Sequence, residues 1–447
     1  MDERVIRGGV IVLPDGPART EVRVRAGRIA EIGPNLEPAG AGVVDAAGLH
    51  VLPGAIDTHG HQWEPGFSSA ADFRDATSSA AVGGVTTLLD HPLTTPVVLD
   101  RRGLEAKAAL GAATSLIDFG LHGGASPGTL DELAGLWAAG ATGIKVFTCP
   151  TATALDGFDD PYLLAQLFER LALIGARALI HAEDAATLAS TRTSLEADGA
   201  TGVGDFPRWH SLAAEERAVE GVLALAERTG TVVTIVHASH PGVVARVIAA
   251  RARGVNARVE TCPHYLHLTD ADLATAGAWA MTAPPVRDAG ARAGLRALLR
   301  AGSVDVIGSD HCAISRPGKD VATMTAIIAG VPSLDLFLPL LVDLVADGSL
   351  GWKALVDATA ARPARIFRLP AKGGIEVGRD ADLAFVDATR AWTVRAADLP
   401  SAASWSPYEG RSLTGAVVET WSRGVPVARD GQPIGHPGHG RFIARAA

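Results

Sequence analysis

Two histidines one residue apart, His59 and His61, stand in the stretch "IDTHGHQWEPG" at the end of an apolar run. On a β-strand, residues i and i+2 share a face, so both imidazoles can look into one cavity. Lys145 in "GIKVF", His181 in "IHAED", His237 in "IVHAS" and Asp310 in "GSDH" each end a further apolar run. Four imidazoles and a carboxylate make a donor set suited to Zn²⁺ or a similar borderline cation. A single histidine is more often a core or surface residue, and His210, His267, His436 and His439 are read that way. Donors that recur at the ends of successive runs are the stronger signal. Lys145 is the odd member, because an ammonium beside metal cations would be repelled. Burial and neighbouring positive charge lower a lysine pKa, and the neutral amine can add CO₂ to become a carbamate that bridges two metals. Pairing with an acid or forming a Schiff base fits its position equally well.

Such residues need a scaffold whose strand ends converge. Residues 51–371 alternate short apolar runs with amphipathic segments such as "PYLLAQLFERLALIGA" and "AEERAVEGVLALAERTG", the pattern of parallel βα units. The candidate strands are "HVLPGAIDTH", "VTTLLDHP", "SLIDFGLHGG", "GIKVFT", "ARALIHAED", "TVVTIVHAS", "NARVETCPHYL" and "VDVIGSD". Eight strands close a (β/α)8 barrel, whose active sites lie at the C-terminal strand ends, where the donors fall. Residues 1–50 and 372–447 instead alternate with period two between Gly and Pro turns, as in "TEVRVRAGRIAEIG" and "TGAVVETWSRGVPVARDGQPI". The expected organisation is α/β: a TIM-like barrel over 51–371 and a small β-sandwich domain built from both chain termini.

The 447 residues are 47% hydrophobic and 20% charged, enough for a large core. A net charge of −9 with dispersed Lys and Arg offers no basic stripe, which argues against nucleic acid and membrane and for a small-molecule partner. "MDERVIRGGVIVL" lacks the apolar core and cleavage region of a secretory signal, and "SLDLFLPLLVDLVADG" is interrupted by Asp335, Pro339 and Asp343. A cytoplasmic location is expected. Cys149, Cys262 and Cys312 form no disulfide framework and stand close to the donors in sequence. They are read as small buried hydrophobes near the mouth, with slow inactivation by thiol reagents as a further expectation.

In order, "DTHGH", "GIKVF", "IHAED", "IVHAS", "ETCPHYL", "APPVRD" and "GSDH" resemble the motifs of the amidohydrolase superfamily, and within it the cyclic amidohydrolases: allantoinases, dihydroorotases, and hydantoinases or dihydropyrimidinases. The resemblance extends to "GGIEVGRDADL" and "SPYEGRSLTGAVVETWSRG" in the terminal region. It implies two divalent metals, zinc before Mn²⁺, Co²⁺ or Fe²⁺. His59, His61, carboxylated Lys145 and Asp310 would hold one, and Lys145, His181 and His237 the other. Two ions ~3.5–4 Å apart lower the pKa of a water and polarise an amide carbonyl. By the same resemblance Asp310 is the catalytic residue, taking the proton of the attacking water and passing it to the leaving ring nitrogen. The implied reaction is hydrolytic opening of a cyclic amide by a homodimer or homotetramer.

Departures from the family motifs narrow the ring. Dihydroorotases usually read H-x-H-x-R-E-P-G, the arginine clamping a substrate carboxylate; here Trp63 stands in that place, and Ile314 where a substrate-contacting histidine is common. Hydantoinases usually carry a tyrosine where Pro150 stands. "ETCPHYL" and "HPLTTP" are closer to the allantoinase forms, with Thr94 in place of an asparagine. An allantoinase-like hydrolase is therefore expected, with hydantoinase-type or cyclic imide hydrolysis as the alternative. A non-catalytic scaffold and a hydrolase of acyclic amides are the remaining readings, and the complete donor set counts against the scaffold. Trp63, Thr94, His264 and Ala283 are read as substrate-binding, with His311 also flanking the site. Trp63 either stacks on a planar ring or belongs to the core. Glu64 is expected to fix the Pro-Gly turn and His240 to start a helix.

Overall fold

The structure, a computed structural model, describes residues 3–66, 72–151 and 153–446. Eight strands form the barrel wall: β1 (Ala55–Gly60), β2 (Val85–Asp90), β3 (Asp118–Leu121, continued by Gly123–Gly124), β4 (Ile144–Phe147), β5 (Arg177–His181), β6 (Val232–Ile235), β7 (Ala257–Thr261) and β8 (Val306–Ile307). Each pairs in parallel with the next. The ring closes through the parallel bridge between Gly60 and His311 and through the Ser309 amide, which donates to Asp57 Oδ1 at 2.7 Å. Strands covered on both faces read as continuous apolar runs, and every residue of β2 and β4 is buried. Just beyond β8, Gly308 is demanded by close approach: a Cβ there would lie 2.6 Å from the His59 Cβ and 2.8 Å from the Glu260 carboxyl carbon.

Helices Pro161–Leu173, Leu212–Thr229 and Pro241–Ala252 follow β4, β5 and β6. The last is capped by His240, whose Nδ1 accepts the Gly242 amide at 3.0 Å. Among the described residues no helix is long and apolar enough to cross a membrane.

Both chain ends contribute to two further sheets. One runs in the order Gln432–Pro433, Val425–Arg429, Ser412–Ser422, Leu383–Thr393, His50–Pro53, Val10–Leu13, Gly16–Ala18; the other runs Arg28–Gly33, Glu21–Arg25, Arg4–Arg7, Gly42–Asp45. Ile6, Val22 and Ile29 meet Ile11, Val51, Phe385 and Trp421 in one buried cluster between them, the sandwich that period-two alternation anticipates. The sheets do not divide cleanly at residues 50 and 372. His50–Pro53 pairs with Leu383–Val386 and lies in the terminal sheet. The chain after residue 434 returns to the barrel, where the Phe119 amide donates to Arg441 O at 2.9 Å and the Ile443 amide to Phe119 O at 2.7 Å. The segment near residue 405 reaches the opposite end, the Trp405 indole donating to Ile314 O at 2.8 Å. Alternation marks a strand without saying which sheet it joins, and the returning tail carries no alternation at all.

Candidate metal centre and active site

At the C-terminal strand ends, His59 and His61 both direct Nε2 at Asp310 Oδ1, at 3.3 and 3.2 Å. One ligand atom from each of the three lies within 4.8 Å of the others. Beside them His181 Nδ1 lies 3.0 Å from His237 Nε2, and the His59 and His237 ring centres are 5.4 Å apart. Lys145 is fully buried, its Nζ 4.8 Å from the Phe147 ring centre. Burial pushes the Lys145 amine down to about 8 against the pull of Asp310 and Glu260. Its charge in turn acts on His59 and His237. His59, His61, His181, His237 and Asp310 therefore lie together, with Lys145 near enough for its charge to act on two of the rings. Burial alone would raise the Asp310 carboxyl, but His59 and His61 outweigh it and hold the group well below the usual carboxylate range.

The backbone is bent to achieve this. His237 and Asp310 adopt φ of 40° and 48°, a left-handed conformation costing about 1–3 kcal/mol for such residues. Each turn is tied down: the His237 amide donates to Glu260 Oε1 at 3.3 Å, and Ser309 Oγ donates to Asp57 Oδ2 at 2.5 Å.

The supporting carboxylates were missed in the sequence. Glu260, on β7, accepts from His59 Nδ1 at 2.7 Å and from Thr58 Oγ1 at 2.6 Å. An ionised Glu260 accepting the Nδ1 proton leaves Nε2 of His59 as a lone pair facing the centre, while burial raises Glu260 to about 7 and lowers His59. Glu183 plays the same part for His181 through Nε2 at 2.8 Å, and His210 Nδ1 holds Glu183 at 2.9 Å. His210, expected to be an ordinary histidine, is thus the outer member of a chain that orients His181. The signal was available, since both acids stand inside the quoted motifs "ETCPHYL" and "IHAED". A second omission is His91, whose ring stacks on His59 at 3.8 Å and whose nitrogens have no hydrogen-bond partner. His267, by contrast, is spent on Leu340 O at 2.8 Å, as a core histidine should be.

The expected substrate contacts are placed unevenly. Trp63 packs with Cys312, Ile314, Val331 and Trp405 in an apolar wall, its ring centre 6.0 Å from that of His61. His264 is buried, with a ligand atom within 4.8 Å of one on Asp310. Ala283 is half-buried against the main core. Thr94 is buried and its hydroxyl donates to Pro96 O at 2.8 Å, a short hydroxyl reaching a carbonyl of its own loop. His311 Nδ1 accepts the Ser333 and Leu334 amides at 3.0 and 3.2 Å. Glu64 accepts the Phe73 amide at 3.2 Å and so braces the turn. All three cysteines are free and buried, and burial pushes their thiols up.

The model of the family described as Amidohydrolase family matches residues 50–427. The chain belongs to the amidohydrolase family. An allantoinase of Deinococcus radiodurans is 35% identical to it over 98% of each chain, and one of Rubrobacter xylanophilus is 36% identical over 98% of this chain and 97% of that one. Among solved structures, the L-hydantoinase (dihydropyrimidinase) from Arthrobacter aurescens matches with a TM-score of 0.93 at 28% identity, covering 100% of both chains. This amidohydrolase therefore shares barrel and terminal sheets with cyclic-amide hydrolases over its whole length, and it is a hydrolase of that group.

Proposed function

We propose that this amidohydrolase is a binuclear metal-dependent enzyme that opens a cyclic amide, allantoinase-like in its choice of ring. The observation that carries the reading is the convergence of His59, His61, His181, His237 and Asp310 around a buried lysine whose pKa is about 8. The residues fit two cations. Two imidazole nitrogens meet one carboxylate oxygen in the first group, and in the second His181 Nδ1 and His237 Nε2 face each other at 3.0 Å. His59, His61, Lys145 and Asp310 would hold one ion, and Lys145, His181 and His237 the other, zinc being the first candidate. Near neutral pH an appreciable fraction of Lys145 is the free amine, so its lone pair can bond to the carbon of CO₂ while Nζ gives up a proton, yielding an anionic carbamate. Bound there, the ions would supply an acidic water and a Lewis acid for the amide carbonyl.

The rest is the work of the chain. Asp310, kept ionised by its histidines, accepts the proton of the attacking water at a carboxylate oxygen and returns it to the leaving ring nitrogen. Glu260 and Glu183 fix the tautomers of His59 and His181. The wall of Trp63, Ile314 and Trp405 offers a flat apolar surface for a planar ring. Hydantoinase-type activity is the second reading, favoured by the structural likeness to an L-hydantoinase. A cytoplasmic homodimer or homotetramer acting on a small molecule completes the proposal, on the strength of the family resemblance.

The test is metal analysis of the purified protein with hydrolysis assays on allantoin, hydantoin, dihydrouracil, dihydroorotate and cyclic imides. About two metals per chain and opening of allantoin are expected. Two metals with activity on another ring alone would keep the mechanism and move the specificity to the wall around Trp63. No metal and no ring opening would overturn the reading.

A further inference from the structure

At the end of the barrel away from the histidines, the N-terminal ends of the strands surround a cavity of about 90 Å³. Arg177 at the start of β5, Arg368 and Arg445 line it together with Asn256, Trp137 and Phe367. No carboxylate is part of the lining. Other partly buried arginines in this protein are neutralised: Arg251 by Asp305, Arg287 by Glu215 and Arg423 by Asp118. Among the described residues, the three that face this cavity form no ion pair. Arg177 donates to Thr234 Oγ1 at 3.1 Å, and Arg445 donates to the carbonyls of Trp137 and Ala446 at 2.7 and 3.2 Å. Arg445 also lies over the Trp137 ring at 3.5 Å, and its Nε is buried without a partner. Neutral acceptors occupy some donors, and among the described residues no carboxylate pairs with the three groups, Asp305 acting on Arg177 only through its field. Burial and the repulsion of Arg258 and Arg368 lower Arg177 to about 10, and burial and Arg368 lower Arg445.

We infer that this cavity binds a small oxyanion, phosphate or carboxylate, among the guanidinium groups of Arg177, Arg368 and Arg445. Forked N–H donors match two oxygens of such an anion, and a cluster of like charge with no ion pair among the described residues is the field that would draw it in. The volume is far below the ~300–1,000 Å³ of sites for drug-sized ligands, so the ligand is a single small anion. Because the Ala446 amide donates to Arg368 O at 2.9 Å, the anion would also pin the returning tail to the barrel.

The experiment is thermal unfolding of the metal-loaded, full-length enzyme in sodium phosphate, sodium acetate and sodium chloride at equal ionic strength. A saturable rise in Tm of about 2 °C or more over chloride is expected in phosphate or acetate, the anion that saturates at lower concentration identifying the preferred source. The rise should vanish in Arg368→Gln and Arg177→Gln while kcat/KM for ring opening is unchanged. Arg368 is exposed, so its variant keeps the test decisive if Arg177→Gln folds poorly. A Tm indifferent to both anions overturns the inference. So does a response that survives in Arg368→Gln, since the anion would then act at the metal centre or elsewhere.

Discussion

The barrel buries charge at both ends, and the two clusters follow opposite rules. At the N-terminal end of β3, Asp118 meets Lys372 at 2.6 Å, the Arg423 guanidinium, and the Arg441 amide at 2.9 Å; Lys372 reaches on to Asp382 at 2.7 Å and Asp380 at 3.1 Å. Each charge there has a counter-charge, and the groups come from barrel wall, terminal sheet and returning tail. At the C-terminal end, His61 Nδ1, His237 Nδ1 and both ring nitrogens of His91 and His264 are buried without hydrogen bonds, and His237 and Asp310 sit on left-handed backbone. The difference separates a staple, which holds three pieces of chain together, from a centre kept ready to coordinate.

The most direct way to break that contrast is to remove one charge from each end. Asp310→Asn should lower kcat by ~10²–10⁴-fold while leaving the fold intact, measured by steady-state kinetics beside circular dichroism. Lys372→Met removes the buried cation that Asp118, Asp380 and Asp382 share, leaving Arg423 alone on Asp118, and should cost about 3–5 kcal/mol in denaturant unfolding, with kcat of the folded enzyme retained. Full activity in the first variant, or unchanged stability in the second, would erase the distinction. A smaller effect sharpens it. Glu260→Gln keeps the shape but weakens the acceptor that orients His59, so metal affinity, read by competition with a chelator, should fall ~10–100-fold with little change in Tm.

The donors were legible because their message is local: ligand type, i and i+2 alternation, and position at the end of an apolar run. The barrel was legible for the same reason, strand by strand. What orients the donors was not, because Glu260 and His59 are 201 residues apart and meet only when the ring of strands closes. Asp118 and Lys372, 254 residues apart, give no hint in the chain that they form a junction. β8 was expected to run through Asp310, but its continuous pairing ends at Ile307 and the chain rejoins the wall only at the bridge of His311 to Gly60.

The smallest predicted effect concerns the apolar wall beside the histidines. Trp63, after the ligand pair, packs against Ile314 beyond β8 and Trp405 from the terminal part of the chain. If it faces the ring, Trp63→Phe should shift KM by ~0.5–1.5 kcal/mol, roughly two- to tenfold, and by different amounts for allantoin and for hydantoins with an aromatic substituent, with kcat nearly constant. If it only fills the core, the same change should lower Tm and leave every KM in place. A wall residue that senses the ring would mean that the terminal segment, through Trp405, takes part in choosing the substrate, and that the division between holding and chemistry runs through the rim rather than between domains.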